Sequence, residues 1–536
     1  QTNFATNAGT SGVDLNVDTV IAGGITGDGV KVSIVDDGLE IAHEDLVDNV
    51  ISGSWDFVNA DSNPTLPSSC VSDSDCGGHG TSVAGLIAAV GWNNKGVRGI
   101  APEASIFGAN FLKNQADGNE AKALGVNSLG GVTADIYNMS YGYKPTASSY
   151  NLRSFLTAAN EAKFVNGVEN LRGGKGALYI KASGNGYESY SVANTCGTGQ
   201  PLSCTENTID ETNQSPYVVV VGALNADGVK SSYSTPGSSI WVSGFGGEGG
   251  YNSTMYPAYE GAGDDPAMMT IDRSSCSLGY SRTGATNAHG KNKFNLAGQS
   301  FSDQTTLNSD CNYNSHFNGT SSAAPTVSGV IALMLEANSD LTWRDIKHLL
   351  VTTSDKVDAS KTHTQQGIVQ YGWTQNNAGY EHHNWYGFGQ INASAAVTAA
   401  QSYTANSRGT WASTGYQSSG TLNTSLPDLT VTSNVKSVTK PTGSNDFVEF
   451  VRVSIRFDHA LAKSVGVRLT SPDGTTINLM QPYTNVNNPA TFDFDIGVSG
   501  FYGESIEGNW TIDFADYVGD GVTGTINSWG IEVWGN

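Results

Sequence analysis

Positive charge is scarce in this sequence. Lys and Arg number 27 against 50 Asp and Glu in 536 residues, a formal net charge of −23. A surface built for phosphates needs clustered cations, so nucleic acid and anionic lipid are excluded as partners. Long apolar runs are also missing. The longest, 217–224 and 330–335, fall far short of the roughly 20 residues of a membrane span. Charged residues of both signs make up only 14% of the chain, while hydrophobics reach 38% and aromatics 9%. That composition rules out a disordered polyelectrolyte. There is no CxxC pair and no Cys/His cluster at zinc spacing.

No signal-peptide pattern opens the sequence at Gln1. The chain therefore reads either as cytosolic or as a mature form freed of its signal peptide. The six cysteines favour secretion into an oxidising compartment. They fall in sequence-local pairs, Cys70/Cys76, Cys196/Cys204 and Cys276/Cys311. Three disulfides are expected, and buried free thiols are the alternative.

The length predicts roughly two to four structural units. Residues 1–403 alternate strand and helix signals. Val30-Lys-Val-Ser-Ile-Val35 is a β-branched run that ends in Asp36-Asp37-Gly38, and further strands read at 104–112, 135–140, 177–182 and 217–224. Helices read at 79–90, 154–165, 321–338, 342–353 and 391–401. This alternation implies an α/β domain with a parallel sheet covered on both faces. The Gly/Asn/Ser-rich stretch 245–314 reads as a surface insertion stapled by its own cysteine pair. Residues 404–426 read as a linker. From 427 to 536 the apolar period becomes two, as in Val451, Val453, Ile455 and Phe457, which predicts an all-β, jelly-roll-like sandwich.

Three motifs carry chemistry. Asp36-Asp37-Gly38 closes a strand, Gly78-His79-Gly80-Thr81-Ser82 opens a helix, and Asn318-Gly319-Thr320-Ser321 opens another. A serine hydroxyl is a weak nucleophile without an adjacent base. His79 would take the Ser321 proton, and Asp36 would hold the imidazole and stabilise its cation. A helix start aims backbone N–H groups at a developing oxyanion. Asn185, in Ala182-Ser-Gly-Asn-Gly186, is the candidate for a second oxyanion donor.

With these motifs in place, the chain resembles the subtilisin-like serine proteases, in the branch of kexin and the furin-like proprotein convertases and their bacterial secreted relatives. The carriers are Ser33–Gly38, His79–Gly85, Ala182–Gly186, Gly319-Thr-Ser321 and Leu341-Thr-Trp-Arg-Asp345. The β-tail resembles that branch's P domain through Leu469-Thr-Ser-Pro-Asp-Gly-Thr475 and Gly508-Asn-Trp-Thr-Ile512. The resemblance covers nearly the whole chain.

It implies a secreted endopeptidase acting on protein or peptide substrates after Lys or Arg, with dibasic sites favoured. A propeptide or a folding chaperone is implied as a further partner. Ser140-Tyr141-Gly142 would pair with the substrate backbone. Asp37 would face the P2 side chain, Glu120 the P4 side chain, and Asp210 the P1 cation. Departures from the family pattern, Lys144-Pro145 after the substrate strand and Cys76 before the histidine, imply a broader cleft. Calcium is implied near Asp45, Val90, Asn93, Lys95 and Val97, through side-chain oxygens of Asp45 and Asn93 and carbonyls of the rest. A second family calcium needs acids where this chain has Pro145 and Thr235, so that site is expected to be missing. The alternatives are a broad-specificity extracellular protease and an inactive matrix- or carbohydrate-binding protein on a protease scaffold.

Overall fold

The computed structural model describes residues 9–69, 77–143, 155–187, 205–250, 265–282, 308–365, 368–482 and 491–536. Cys70, Cys76, Cys196, Cys204, Lys144 and Pro145 lie outside them. The Cys276–Cys311 disulfide is present.

The catalytic half is built on a six-stranded parallel sheet. Its order is Ser105–Ala109, Lys31–Val35, Ile136–Met139, Leu178–Ala182, Val218–Leu224 and Ile240–Phe245. In Lys31–Val35 every residue after Lys31 is buried, as expected of a strand covered on both faces rather than one. Helices His79–Ala88 and Thr320–Ala337 supply part of that cover. The sixth strand, Ile240–Phe245, has no counterpart among the strands read from sequence.

Sheet order positions the site. The chain leaves Lys31–Val35 for one neighbour and later returns to its other side with Ile136–Met139. Such a reversal opens a crevice at the carboxyl ends of the strands. Asp36-Asp37, Ser140–Gly142 and Ser183–Asn185 all follow strand ends there.

The expected surface insertion is partly structural. Met268–Ile271 pairs with Tyr313–Phe317 and packs on the histidine helix, where Thr270 donates to the Ser82 carbonyl and Ser82 to that of Ile271.

The C-terminal unit is two antiparallel sheets around one core. Val451, Val453, Ile455 and Phe457 are all buried, as their spacing predicts. The stretch expected as a linker, 404–426, is instead partly sheet. Ala412–Ser413, Gln417–Ser418 and Thr424–Leu426 each pair with Gly524–Gly535. Polar composition misled here, because these are short edge segments with few side chains to bury.

The two units share an interface. Arg344, inside the Leu341–Asp345 motif, forms a buried ion pair with Glu449 of the β-unit. Thr342 and Asp345 cap that helix reciprocally and so fix where Arg344 emerges. Phe450, Tyr502 and Trp534 of the β-unit belong to the same apolar core as the parallel sheet. Among the described residues no helix is long and apolar enough to cross a membrane.

Candidate active site

Asp36 is fully buried where Lys31–Val35 ends, and its Oδ1 accepts from His79 Nδ1–H at 2.8 Å. The histidine comes this close because glycine follows it. A Cβ on Gly80 would stand 2.1 Å from the Gly38 carbonyl and 2.8 Å from Asp36 Cβ. The imidazole is 27% exposed, with the Phe317 ring 5.4 Å away as a partial shield. Burial alone would lower the His79 pKa. The Asp36 carboxylate outweighs it, Asp37 adds to the effect, and the result is about 9.

Ser321 opens Thr320–Ala337 after Gly319, whose φ of +100° is left-handed and suits glycine. The Ser321 hydroxyl donates to the Ser140 carbonyl at 3.0 Å, so in this resting arrangement it points along the substrate strand rather than at His79. The Ser140 hydroxyl returns a bond to the Ser321 carbonyl at 2.9 Å. That carbonyl is open because the residue four positions on is Pro325, which has no N–H to give it. A proline inside the helix thus ties the Ser321 backbone to Ser140, at the end of Ile136–Met139.

Asn185 is oriented by Thr320. The Thr320 N–H and hydroxyl both donate to Asn185 Oδ1 at 2.8 Å, which leaves the amide Nδ2–H₂ for the crevice. Ser321 N–H, in the helix's first turn, has no intrahelical acceptor. The two donors flank the Ser321 hydroxyl. Thr320 was not singled out from sequence, although the Gly-Thr-Ser motif contains it.

The three acids expected to read the substrate already have partners within the protein, and of them Asp210 lines the pocket beside Ser321. Asp37 accepts from Gly80 N at 2.9 Å and His79 N at 3.3 Å, at the start of the histidine helix. Burial, then the neighbouring Asp36, raises its pKa to about 6. Glu120 is ion-paired with Lys163. Asp210 Oδ2 accepts from Lys181 Nζ at 2.8 Å and Tyr143 N at 3.0 Å, and its Oδ1 from Thr212 N at 3.1 Å. Burial would raise the Asp210 pKa, but Lys181 holds it below the usual carboxylate value. The Lys181 ammonium also donates to the Tyr141 carbonyl.

Beside Ser321 lies a pocket of about 190 Å³ whose lining includes Gly142, Gly184, Asn185, Glu206, Asp210 and Thr235. Glu206 escaped sequence analysis, which placed the P1 acid at Asp210 by resemblance to the family. Burial pushes the Glu206 carboxyl up to about 8.

The residues expected at calcium also converge. Val90 N donates to the Asp45 carbonyl at 2.9 Å, while Asn93 Nδ2 and Val97 N donate to the Asp45 carboxylate at 2.6 and 3.1 Å. Lys95 N donates to Asn93 Oδ1 at 3.0 Å. Burial raises the Asp45 pKa. One carboxylate, one side-chain amide and backbone carbonyls suit a hard cation once the Asn93 amide turns its oxygen inward. Among the described residues no cluster of three or more His, Cys, Asp or Glu is placed to hold a metal ion. The Thr235 hydroxyl accepts from Gly186 N at 2.7 Å.

Comparison with known proteins agrees with this architecture. Residues 27–389 match the subtilase family, and 448–533 match the proprotein convertase P-domain. The chain is 32% identical to an extracellular serine protease of Aeromonas sobria, over 96% of this chain and 82% of that protein. It is 29% identical to a dibasic-processing endoprotease of Schizosaccharomyces pombe, over 99% of this chain and 64% of that one. A crystal structure of the Aeromonas sobria protease with its chaperone superposes with a TM-score of 0.85 at 30% identity, covering 100% of this chain and 93% of the other. The chain is a serine protease belonging to the subtilase family, with a proprotein convertase P domain after its catalytic domain.

Proposed function

We propose that this protease is a secreted endopeptidase in which Ser321 attacks the scissile carbonyl, His79 is the general base, Asp36 orients and charges the imidazole, and Asn185 with the Ser321 N–H binds the oxyanion. The observation that carries the reading is the Asp36–His79 bond at 2.8 Å beside a helix start whose serine adjoins an amide oriented by Thr320.

The steps follow from the geometry. His79 Nδ1–H is committed to Asp36, so Nε2 is the free base. The Ser321 hydroxyl must turn from the Ser140 carbonyl to Nε2, a single χ1 rotation, and resting geometry of this kind commonly tightens on substrate binding. The substrate pairs with Ser140–Gly142 by strand addition. As the carbonyl becomes tetrahedral its oxygen gains charge, which Asn185 Nδ2–H and Ser321 N–H stabilise without reorganising. The imidazolium then returns its proton to the leaving amine.

Cleavage after Lys or Arg, with dibasic sites favoured, is the proposed preference. Support comes from the acids lining the crevice, Asp37 and Glu206 above all. The Lys163–Glu120 and Lys181–Asp210 pairs favour a broader enzyme than a strict dibasic one, since their charge is already spent inside the protein. An inactive binding protein is the disfavoured reading, because it gives no reason to keep Asn185 oriented. Profiling cleavage across a P1–P4 peptide library tests the preference, and best cleavage after Phe or Leu would overturn it. Fluorophosphonate labelling that vanishes in Ser321→Ala tests the nucleophile, and labelling that persists there refutes it.

Calcium is proposed as a structural ion at Asp45, Val90, Asn93, Lys95 and Val97, pinning the loop that follows the histidine helix. Chelation should then lower the melting temperature of the Ser321→Ala protein by at least about 2 °C, and an unchanged value would argue against it. A chaperone partner is proposed from the likeness to the Aeromonas sobria protease, which was crystallised with one.

A further inference from the structure

The pocket beside Ser321 holds two acids in different electrical states. Asp210 is saturated: both oxygens accept protein N–H groups, and a lysine 1% exposed supplies the counter-charge. A P1 cation arriving there would meet a carboxylate already neutralised. Glu206 is 4% exposed, and the hydrogen bond it accepts from Gln481 N is a long one of 3.5 Å. Among the described residues no cation pairs with it. A buried carboxyl that lines a cavity, with neither counter-ion nor strong donor, is a group waiting for one.

Its position is fixed from behind. Gln481 belongs to the P domain. Three residues past Glu206, Ile209 packs inside that domain's apolar core rather than in the catalytic one. Asn207 N donates to the Pro236 carbonyl at 2.8 Å, and Ser238 donates to the Gly497 carbonyl of the P domain at 2.7 Å. The wall bearing Glu206 is therefore clamped between pocket and sandwich.

We propose that Glu206 receives the P1 Lys or Arg cation, on a wall held by the P domain, and that the Lys181–Asp210 pair is a fixed brace beneath the substrate strand. The proposal rests on the basic-residue reading above and says which acid performs it. In the empty pocket burial keeps the Glu206 carboxyl protonated near neutral pH. Entry of a guanidinium or ammonium group ionises it, the proton passes to solvent, and a charge-assisted hydrogen bond forms.

The test compares two peptides identical except for Arg or citrulline at P1. Citrulline keeps the shape and loses the charge. The full chain is used, with active enzyme counted by fluorophosphonate titration. Wild type should favour Arg by about tenfold to a hundredfold in kcat/KM. Glu206→Gln should bring the ratio within about threefold of unity, whereas the double variant Lys181→Met/Asp210→Asn, which strands no charge, should keep the wild-type ratio. If Glu206→Gln yields no labelled enzyme, Glu206→Asp decides, because a shorter acid must lower the ratio without abolishing it. A wild-type ratio kept in Glu206→Gln, or an unchanged ratio in Glu206→Asp, overturns the Glu206 assignment. Loss of the ratio in the Lys181→Met/Asp210→Asn protein overturns it as well. A wild-type ratio near one removes the basic-residue reading itself, and the assignment with it.

Discussion

Lys181→Met should be among the more damaging single changes in the protein. Lys181 is 1% exposed and the Asp210 side chain 13% exposed, so the pair is nearly dry. Removing one partner of a buried pair commonly costs about 3–5 kcal/mol, because the other charge is left without compensation. Here the figure should sit near the lower end. Tyr143 N and Thr212 N still donate to the stranded carboxylate, and each such bond to a charge recovers some of the loss. The expected cost is about 3 kcal/mol, measured by urea unfolding at pH 7 in the Ser321→Ala background to prevent autolysis. The double variant with Asp210→Asn should come within about 1 kcal/mol of the parent, so the second change recovers about 2 kcal/mol of what the first one cost.

The pH dependence has a definite sign. In the parent, Lys181 holds the Asp210 pKa below its ordinary value of 3.8, so the stabilisation is complete above 3.8 and is lost only as pH falls through the lower folded value. In Lys181→Met, burial is opposed only by the Tyr143 and Thr212 N–H bonds, and Asp210 should titrate higher than in the parent. The deficit should therefore shrink as pH is lowered from 7 toward 5, as the carboxyl takes up a proton. Single variants that each cost under about 1 kcal/mol and simply add would show that the pair carries no weight and braces nothing.

Asp37→Asn should move the acid limb of kcat/KM to lower pH by roughly half to one unit, since it removes one of the two carboxylates that raise His79 to about 9. The activity-bearing form is the neutral imidazole, so the variant gains activity below the wild-type midpoint; a limb that stays put or rises refutes the assignment. Asn185→Ala should lower kcat roughly 100- to 1000-fold with KM little changed, and a change confined to KM would deny it an oxyanion role. A chain ending at residue 403 should be poorly folded by circular dichroism and thermal melting. It strips Arg344 of Glu449 and removes Phe450, Tyr502 and Trp534 from the catalytic core; an unchanged melting temperature would make the P domain an independent accessory.

What sequence could convey here was local. Strand ends, glycines and helix starts lie within a few residues of the groups they position, so Asp36, His79, Asn185 and Ser321 could be named from their surroundings. The parallel sheet and the sandwich were legible for the same reason, because burial on two faces or one leaves a different period in the apolar residues. The strand Ile240–Phe245 was harder. Its Trp-Val-Ser-Gly-Phe run carries no clear alternation, and it ends in the glycines Gly246 and Gly247. Charge states were not legible at all. Lys181 is one position of a fully buried strand, and nothing near it in sequence announces an acid 29 residues away. Glu120 and Lys163 are 43 residues apart. An acid can be placed in a cleft by resemblance, but whether its charge is available depends on pairs that only the folded chain creates.

That distinction bears on how an acidic protease can be selective at all. A net charge of −23 attracts every cationic peptide over distances of about a Debye length and discriminates poorly among them. Selectivity at one subsite needs a carboxyl whose energy changes only when the right side chain arrives. Asp210 and Glu120 do not meet that condition, because Lys181 and Lys163 already pair with them inside the protein. Asp37 and Glu206 do meet it. Each is kept above the ordinary carboxylate pKa chiefly by burial, and among the described residues neither is ion-paired to an ammonium or guanidinium, although the buried Arg273 lies within electrostatic reach of Asp37. In this chain two of the scarce lysines are buried to neutralise cleft acids. The acids left unneutralised are those on which a bound cation has the largest effect, and the P2 and P1 subsites are therefore where recognition should concentrate.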